Sequence, residues 1–319
     1  MHESQNIDVN DGILKLFVVV VLYKQQPTDS LTLNTLQASI SRIPIGKVDI
    51  ELLLYDNTPG GQDIRVLPRG VQYVADIENG GLAKAYNYAL QIAHDRGFDW
   101  LLVLDQDTSL PADFMCKLCS TIAFVTPLNE VAAIVPSIVG NGRLISPSFP
   151  TKRWLFTKRF RDGFIGISMQ RLTLAVNSAS TLRVSALRAA GGYDPRFWLD
   201  CSDVVMFHRL QLNGFRIFVA GNIHVEHEVS VLDLTNRATP GRYANILGAQ
   251  EAYFDGYLGR IEGIVQLLKH VYLVVKLCKT GVTPPYFNVW LRFLCRRLFY
   301  SRKHRLRTWE YSAMRRSDV

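Results

Sequence analysis

The sequence predicts an α/β protein: a mostly parallel β-sheet with flanking helices, followed by a helical C-terminal extension. Three observations predict it. Short valine- and leucine-rich runs recur between residues 14 and 135 with the density of strands buried on both faces. Segments with apolar residues at helical spacing separate them, the alternation of a parallel sheet with crossover helices. From residue 230 onward the strand pattern stops and helical segments with interleaved basic residues take over. A chain of 319 residues, 48% hydrophobic and 20% charged, suffices for one sizeable domain and a smaller appendage, expected at residues 1–230 and 231–319.

Residues 14–23 read as the first buried strand, with 24–29 looping over its carboxyl end. Residues 30–43 carry leucine and isoleucine at helical spacing, with Ser30 as the cap. A second strand over 48–55 ends in the turn-forming run Asp56-Asn57-Thr58-Pro59-Gly60-Gly61. Asp56 therefore stands at a strand's carboxyl end, where α/β sheets bind ligands and an acid can accept hydrogen bonds from a base or ribose. Turn chemistry is its alternative use. A short strand over 71–75 precedes Asn79-Gly80-Gly81, which opens a helix through Asn87 and lets a diphosphate or base approach the backbone.

The run from Trp100 to Leu104 then ends in Asp105-Gln106-Asp107. Strand alternation would put both carboxylates on one side of the chain, with Gln106 pointing away. Two acids facing one point repel unless a cation joins them, and carboxylate oxygens suit Mg²⁺ or Mn²⁺ completed by substrate phosphates. Asp107 capping a following helix opened by Leu110-Pro111 is the alternative.

A further strand over 131–135 is followed by the Gly-, Ser- and Pro-rich stretch 139–156, expected to be a mobile loop near the site. Lys152, Arg153, Lys158, Arg159 and Arg161 cluster there, either to meet an anionic acceptor or as an ordinary solvated face. The last strand is expected over 217–220, with His224 and His227 beyond it. Apolar and basic residues alternate at helical spacing over 253–279 and 289–300. Such helices can lie on an anionic membrane surface, or pack on the main domain or a second subunit in a homo-oligomer.

The formal charge is +8, from 36 Lys and Arg against 28 Asp and Glu, and the excess is concentrated at the C-terminus. A basic tail implies an anionic partner. No helix-turn-helix, zinc-ligand or aromatic RNA-reading signature accompanies it, which argues against nucleic acid. Five cysteines, an odd number, with no signal peptide at the start suggest reduced thiols and a cytoplasmic location. Cys116-Lys117-Leu118-Cys119 has no second pair or histidine at ligand spacing and reads as inert helix cysteines. The apolar runs are too short or too interrupted to span a bilayer, so membrane contact is expected to be peripheral, at the inner face of the cytoplasmic membrane.

Taken in order, Asp56-Asn57, Asn79-x-Gly81-x-Ala83-x-x-x-Asn87, Asp105-Gln106-Asp107 and Gly191-Gly192-Tyr193-Asp194 followed by Phe197 to Asp203 resemble family 2 glycosyltransferases with the GT-A nucleotide-diphospho-sugar transferase fold. The Asp-Gln-Asp form is most similar to bacterial rhamnosyltransferases of surface polysaccharide (O-antigen) biosynthesis, over residues 14–227. The resemblance implies an inverting, metal-dependent transfer of L-rhamnose from dTDP-L-rhamnose to a hydroxyl of a lipid-linked polysaccharide precursor. It assigns nucleotide-sugar binding to Asp56, Asn79, Gly81, Asn87, Asp105 and Arg209, and a Mg²⁺ or Mn²⁺ site to Asp105, Asp107 and His227. It makes Asp203 the general base, with Asp200 possible as a co-worker because Val205 replaces a second acid, or either acid capping the helix that follows. Val176-Asn177-Ser178-Ala179 has alanine where the family has glycine, which would put a methyl near the sugar or diphosphate. Thr239-Pro240-Gly241-Arg242-Tyr243 resembles the start of the family's C-terminal extension, whose later Arg-Asn pair is replaced by Ala249-Gln250.

The nearest competitor is the same fold and mechanism with a UDP-hexose. A nucleotidyltransferase would need a Gly-rich basic phosphate loop after the first strand, and Tyr23-Lys24-Gln25-Gln26-Pro27 is not one. From other classes, a non-catalytic nucleotide-binding protein and a basic nucleic-acid-binding protein remain.

Overall fold

The computed structural model describes residues 13–44, 46–227, 239–278 and 284–317. The first half runs β1 (Leu14–Leu22), α1 (Leu31–Ile40), β2 (Val48–Asp56), β3 (Val71–Ala75), α2 (Gly81–Asp95), β4 (Trp100–Asp105), β5 (Thr108–Ser109), α3 (Phe114–Val125) and β6 (Val131–Gly140). It continues through β7 (Arg143–Ser146), β8 (Ser148–Thr151), β9 (Phe156–Arg159), β10 (Ile165–Ile167), β11 (Ser180–Arg183), α4 (Val184–Ala189), α5 (Ser202–Leu212) and β12 (Arg216–His227). Among the described residues four helices follow: α6 (Pro240–Tyr257), α7 (Arg260–Cys278), α8 (Pro284–Phe299) and α9 (Arg302–Ser317). The expected domain boundary at residue 230 lies outside the described residues.

The main sheet has the order β10-β12-β6-β11-β4-β1-β2-β3. β4, β1, β2 and β3 pair in parallel, as do β12 and β6, whereas β11 runs antiparallel between β4 and β6 and β10 antiparallel beside β12. Alternate residues of β1 enter opposite cores, as a strand buried on both faces requires. Phe17, Val19 and Val21 pack with Tyr86, Leu187 and Phe207 from α2, α4 and α5, whereas Leu16, Val18 and Val20 pack with Leu36 and Phe114 from α1 and α3. Ser30 caps α1 as expected, its Oγ accepting from the Leu33 N–H.

Three expectations about elements need correction. The stretch 139–156 is ordered by strand pairing, β7 with β6 and β8 with β9, because its residues find ladder partners that no local pattern announces. The last strand extends to His227 rather than ending near residue 220, across a bulge between Ala220 and His224. The segment 253–279 is two helices, broken around Leu258 and Gly259, and the basic tail is itself the helix α9.

The C-terminal helices form their own small cores. Phe197 and Val205 pack with Ala249, Tyr253 and Leu258, fastening α6 to the segment before and within α5. Tyr243, Leu247, Trp290 and Phe293 join α6 to α8. Asp255, buried, receives Arg297 at 2.7 Å and Arg305 at 2.7 and 2.9 Å, while Glu251, also buried, pairs with Arg296 at 3.2 Å. Several arginines of the basic tail are therefore internal counter-charges.

Candidate active site

Register decides what stands at the sheet's carboxyl edge. Parallel pairing of β1 with both β4 and β2 sets Val21 opposite Asp105 and Leu22 opposite Asp56. The β12–β5 ladder sets His227 opposite Thr108, which carries the imidazole to the Asp105-Gln106-Asp107 segment from the other side. The chain turns at Gln106 and Asp107 rather than continuing as a strand, so the two aspartates converge through a turn. Thr32 of α1 holds that turn, its Oγ donating to the Asp105 carbonyl at 2.5 Å and accepting from the Thr108 N–H at 2.7 Å. Gln106 points away, exchanging hydrogen bonds with the Tyr23 backbone. Asp107 is no helix cap, because the N-cap position of α3 is Asp113.

The resulting cluster is Asp105, Asp107 and His227. The imidazole Nε2 lies 3.9 Å from Asp105 Oδ2 and its Nδ1 3.6 Å from Asp107 Oδ1. His227 is mostly buried and braced by Thr108 Oγ at 3.2 Å and Ser178 Oγ at 3.4 Å, whereas the Asp107 side chain is 59% exposed. Asp105 receives Ser178 Oγ at 2.5 Å on one oxygen and the Tyr86 hydroxyl at 3.1 Å on the other. Among the described residues no three His, Cys, Asp or Glu side chains already stand as a metal-binding group. The donor set nonetheless fits a hard divalent ion: two carboxylates and an imidazole, one carboxylate open to solvent and to substrate oxygens. His224 is elsewhere, paired with Asp162 at 2.9 Å on the exposed surface.

Asp203 lies in the first turn of α5, and its Oδ1 accepts from the Val204 N–H at 2.7 Å. Burial raises its pKa to about 6, against the Val204 hydrogen bond, and the negative charges of Asp105 and Asp200 add to the rise. The N-cap position is Cys201, left-handed at φ 60° and without a side-chain cap, so neither aspartate serves as a cap there. Two tyrosines line the wall between the acids. The rings of Tyr86 and Tyr193 lie 5.0 Å apart, and burial, with the charges of Asp105 and Asp203, lifts both hydroxyl pKa values well above the ordinary range. Tyr193 donates to Asn177 Oδ1 at 2.9 Å, and Asn177 bonds Ser202 at 3.2 Å, tying the strand-end segment to the start of α5.

Several expected ligand contacts are occupied by the protein itself. The Asp200 side chain is largely buried and held by Arg242 and by Asn245 at 2.5 Å, so it anchors α6. Arg242 and Asn245 thus stand about two turns and one turn upstream of Ala249-Gln250, near which sequence reading expected an Arg-Asn pair. Asn87 uses both ends of its amide on the Tyr193 backbone, at 2.8 Å each. Arg209 donates to the carbonyls of Ala190 at 2.6 Å and Gly192 at 3.1 Å, bracing the same glycine turn from below. Gly81 has φ 81°, and a Cβ there would strike the Trp198 carbonyl, so its smallness serves this packing. Asp56 is fully buried and accepts from Thr58 N–H at 2.9 Å, Thr58 Oγ at 2.6 Å and the Tyr73 hydroxyl at 2.6 Å, which is turn chemistry. Asn79, at φ 54°, sits in a turn organised by Asp76. Asp76 accepts from Lys84 at 2.9 Å, the Gly80 N–H at 3.0 Å and Tyr55 at 3.0 Å; burial opposes its ionisation, and these hydrogen bonds prevail to lower its pKa. The Ala179 methyl is buried in the core, and the residue has φ 61°. Cys116 and Cys119 are free thiols on α3, Cys119 pushed up to about 12 by burial.

Sequence reading missed Ser178 as a partner of Asp105, and Tyr86, Tyr193, Thr108 and Asp76. Tyr86 carried a usable signal, a phenol on the apolar face of a helix that must find a polar partner. Thr108 carried none, since its contact depends on pairing with a strand more than a hundred residues away.

No protein-family model and no curated protein sequence matches the chain. Among solved structures, GalNAc-T7 with UDP, GalNAc and Mn²⁺ superposes with a TM-score of 0.51 at 15% identity, over 78% of this chain and 49% of that one. The chain thus spans about half the length of that protein. Residues 1–349 of S. aureus TarS give a TM-score of 0.47 at 14% identity, over 81% of this chain and 79% of that one. The architecture, a mostly parallel sheet with flanking helices and C-terminal helices, is the GT-A glycosyltransferase fold, as the GalNAc-T7 superposition shows.

Proposed function

We propose that the chain is a nucleotide-sugar glycosyltransferase that transfers L-rhamnose from dTDP-L-rhamnose to a hydroxyl of a lipid-linked glycan precursor, with inversion. The observation that carries this reading is the meeting of Asp105, Asp107 and His227 at the sheet's carboxyl edge, joined through Tyr86, Tyr193 and Asn177 to the first turn of α5, where Asp203 stands. Residues 1–230 are the catalytic unit in this reading and 231–319 its helical extension. Donor and acceptor identities come from the sequence resemblance.

Asp203 would accept the proton of the acceptor hydroxyl as that oxygen bonds to the anomeric carbon and the bond to the departing diphosphate breaks on the opposite face. One displacement inverts the centre, and the proton ends on Asp203. Ser178 and Tyr86 hold Asp105 in one orientation, and Thr108 and Ser178 orient His227. Asp105, Asp107 and His227 would hold Mg²⁺ or Mn²⁺, which when bound offsets the negative charge of the diphosphate. A positioned base is worth about 10²–10⁴-fold, so alignment and charge stabilisation must supply the remainder.

Calorimetric titration with dTDP and UDP, each with and without Mn²⁺ or Mg²⁺, tests the reading. Ion-dependent binding with preference for dTDP supports it and directs assays to dTDP-rhamnose. A UDP-hexose donor is the second reading, supported by the UDP in the GalNAc-T7 structure, and preference for UDP would select it. No binding of either nucleotide under any condition refutes both.

A further inference from the structure

We propose that α7 and α8 form a docking face for an anionic lipid bilayer. A helix on a protein surface ordinarily turns its apolar stripe inward, and α7 does the reverse along much of its length. Ile261, Ile264, Leu268, Val271 and Val275 recur every three or four residues on its solvent side, with Ile264 58% and Leu268 63% exposed. Its inner side carries Gly263, Gln266, His270 and Val274 instead. Packing of Gly263 near Arg297 and of His270 against Phe293, ring centroids 5.0 Å apart, sets α8 antiparallel beside α7. That helix adds exposed Phe287, Leu291, Leu298 and Phe299, the last 79% exposed.

Charge identifies the occupant. Between residues 260 and 317 the only acidic residues are Glu262 and Glu310, and Glu310 is paired with Arg196. Arg296, Arg297 and Arg305 are taken up by Glu251 and Asp255. Arg260 and Lys276 on α7 and Arg292 on α8 remain exposed beside the apolar rows, and Lys303 and Arg307 are exposed on α9. A two-fold dimer through this face would set the same patch against itself and bring these cations together. An anionic bilayer supplies the counter-charge and an apolar phase a few ångströms below it. No helix among the described residues is long and apolar enough to cross a membrane, so the face lies on the surface.

The hairpin of β8 and β9 supports α7 from the side away from its exposed row. The Trp154 carbonyl accepts from Lys269 at 3.0 Å and Gln266 at 3.3 Å of α7, and its ring packs on Tyr253, centroids 5.8 Å apart. The hairpin's exposed Leu155 and Phe156, with Lys152 and Arg153, thereby sit beside the same helix.

Vesicle flotation of the whole protein tests the proposal without reference to catalysis. The expected result is recovery with phosphatidylcholine–phosphatidylglycerol vesicles, little with pure phosphatidylcholine, and weakening by salt. Ile264→Gln with Leu268→Gln should weaken binding by about tenfold for each residue while circular dichroism stays unchanged. Arg292→Glu with Lys303→Glu, which leaves the apolar rows intact, should remove the preference for the anionic lipid. Absence of flotation by the wild type overturns the proposal, as does equal binding to both vesicle types. So does self-association abolished by the double glutamine variant without vesicle binding, which would assign the face to a second copy.

Discussion

Replacing Asp203 by Asn separates catalysis from stability in a way that few substitutions can. In the folded protein burial raises the Asp203 pKa from 3.8 to about 6, so between these values the folded state holds a proton that the unfolded chain releases. The associated stability is complete below pH 3.8 and is lost as pH rises through 6. That gap corresponds to at most about 3 kcal/mol at neutral pH, and water reaching the half-buried carboxylate reduces it. Asp203→Asn removes the ionisation, keeps the shape, and can still receive the Val204 N–H on its amide oxygen. The variant should therefore be more stable than the wild type at pH 7.5, by about 1–3 kcal/mol in urea unfolding, with the difference closing toward pH 4. Sugar transfer should fall by about 10²–10⁴-fold with nucleotide affinity unchanged, and the wild-type rate should decline below pH 6 as the base takes up its proton. Equal stability of the two proteins across that pH range, or wild-type turnover in the variant, would refute the reasoning.

Other sites give sharper structural outcomes. Arg242→Ala removes a charge-assisted hydrogen bond to the largely buried Asp200 carboxylate and should cost about 1–3 kcal/mol in urea unfolding, with partial recovery in Arg242→Lys. Asp255→Asn strands the mostly buried Arg297 and Arg305 guanidinium groups and should cost about 3–5 kcal/mol by the same measurement. Gly81→Ala combines a left-handed backbone with a collision against the Trp198 carbonyl, so a loss of at least about 2 kcal/mol is expected in thermal unfolding. Ser178→Ala removes a hydrogen bond to Asp105, and calorimetry should show weaker ion-dependent nucleotide binding, by about tenfold, at nearly unchanged stability.

The sheet was legible because its signals are local. Runs such as residues 14–22 and 100–105 carry their own strand pattern, and the turn run after Asp56 announces a carboxyl end. Asp105, Asp107 and His227 could be named as a group, although what brings them together, the β12–β5 pairing, is non-local and could not be read. The same limit hid the protein partners of several motif residues. Asn87, Arg209 and Asp200 are polar residues in motif positions, and a motif does not say whether a side chain faces the cleft or a neighbouring backbone. In each case a carbonyl, an N–H or a buried cation from a distant segment occupies the group. That Arg296, Arg297 and Arg305 have internal partners was hidden for a similar reason, since Glu251 and Asp255 lie about 40–50 residues upstream.

These non-local contacts also bear on what the C-terminal helices do. The segment leading to Asp203 is gripped from the extension at several points: Asp200 by Arg242 and Asn245, Arg196 by Glu310, and Phe197 by the rings of Tyr257 and Trp309. Arg196 in turn bonds Asp194, which also accepts from Tyr257 at 3.3 Å. A left-handed Cys201 within that segment is tolerated only where surrounding contacts over-determine the backbone. The extension supplies many of those contacts, so its helices act as part of the wall that aims Asp203. If α7 and α8 rest on a bilayer, the surface that receives a lipid-borne acceptor and the surface that fixes the base belong to one packed unit, and orientation on the membrane would set the direction from which an acceptor meets Asp203.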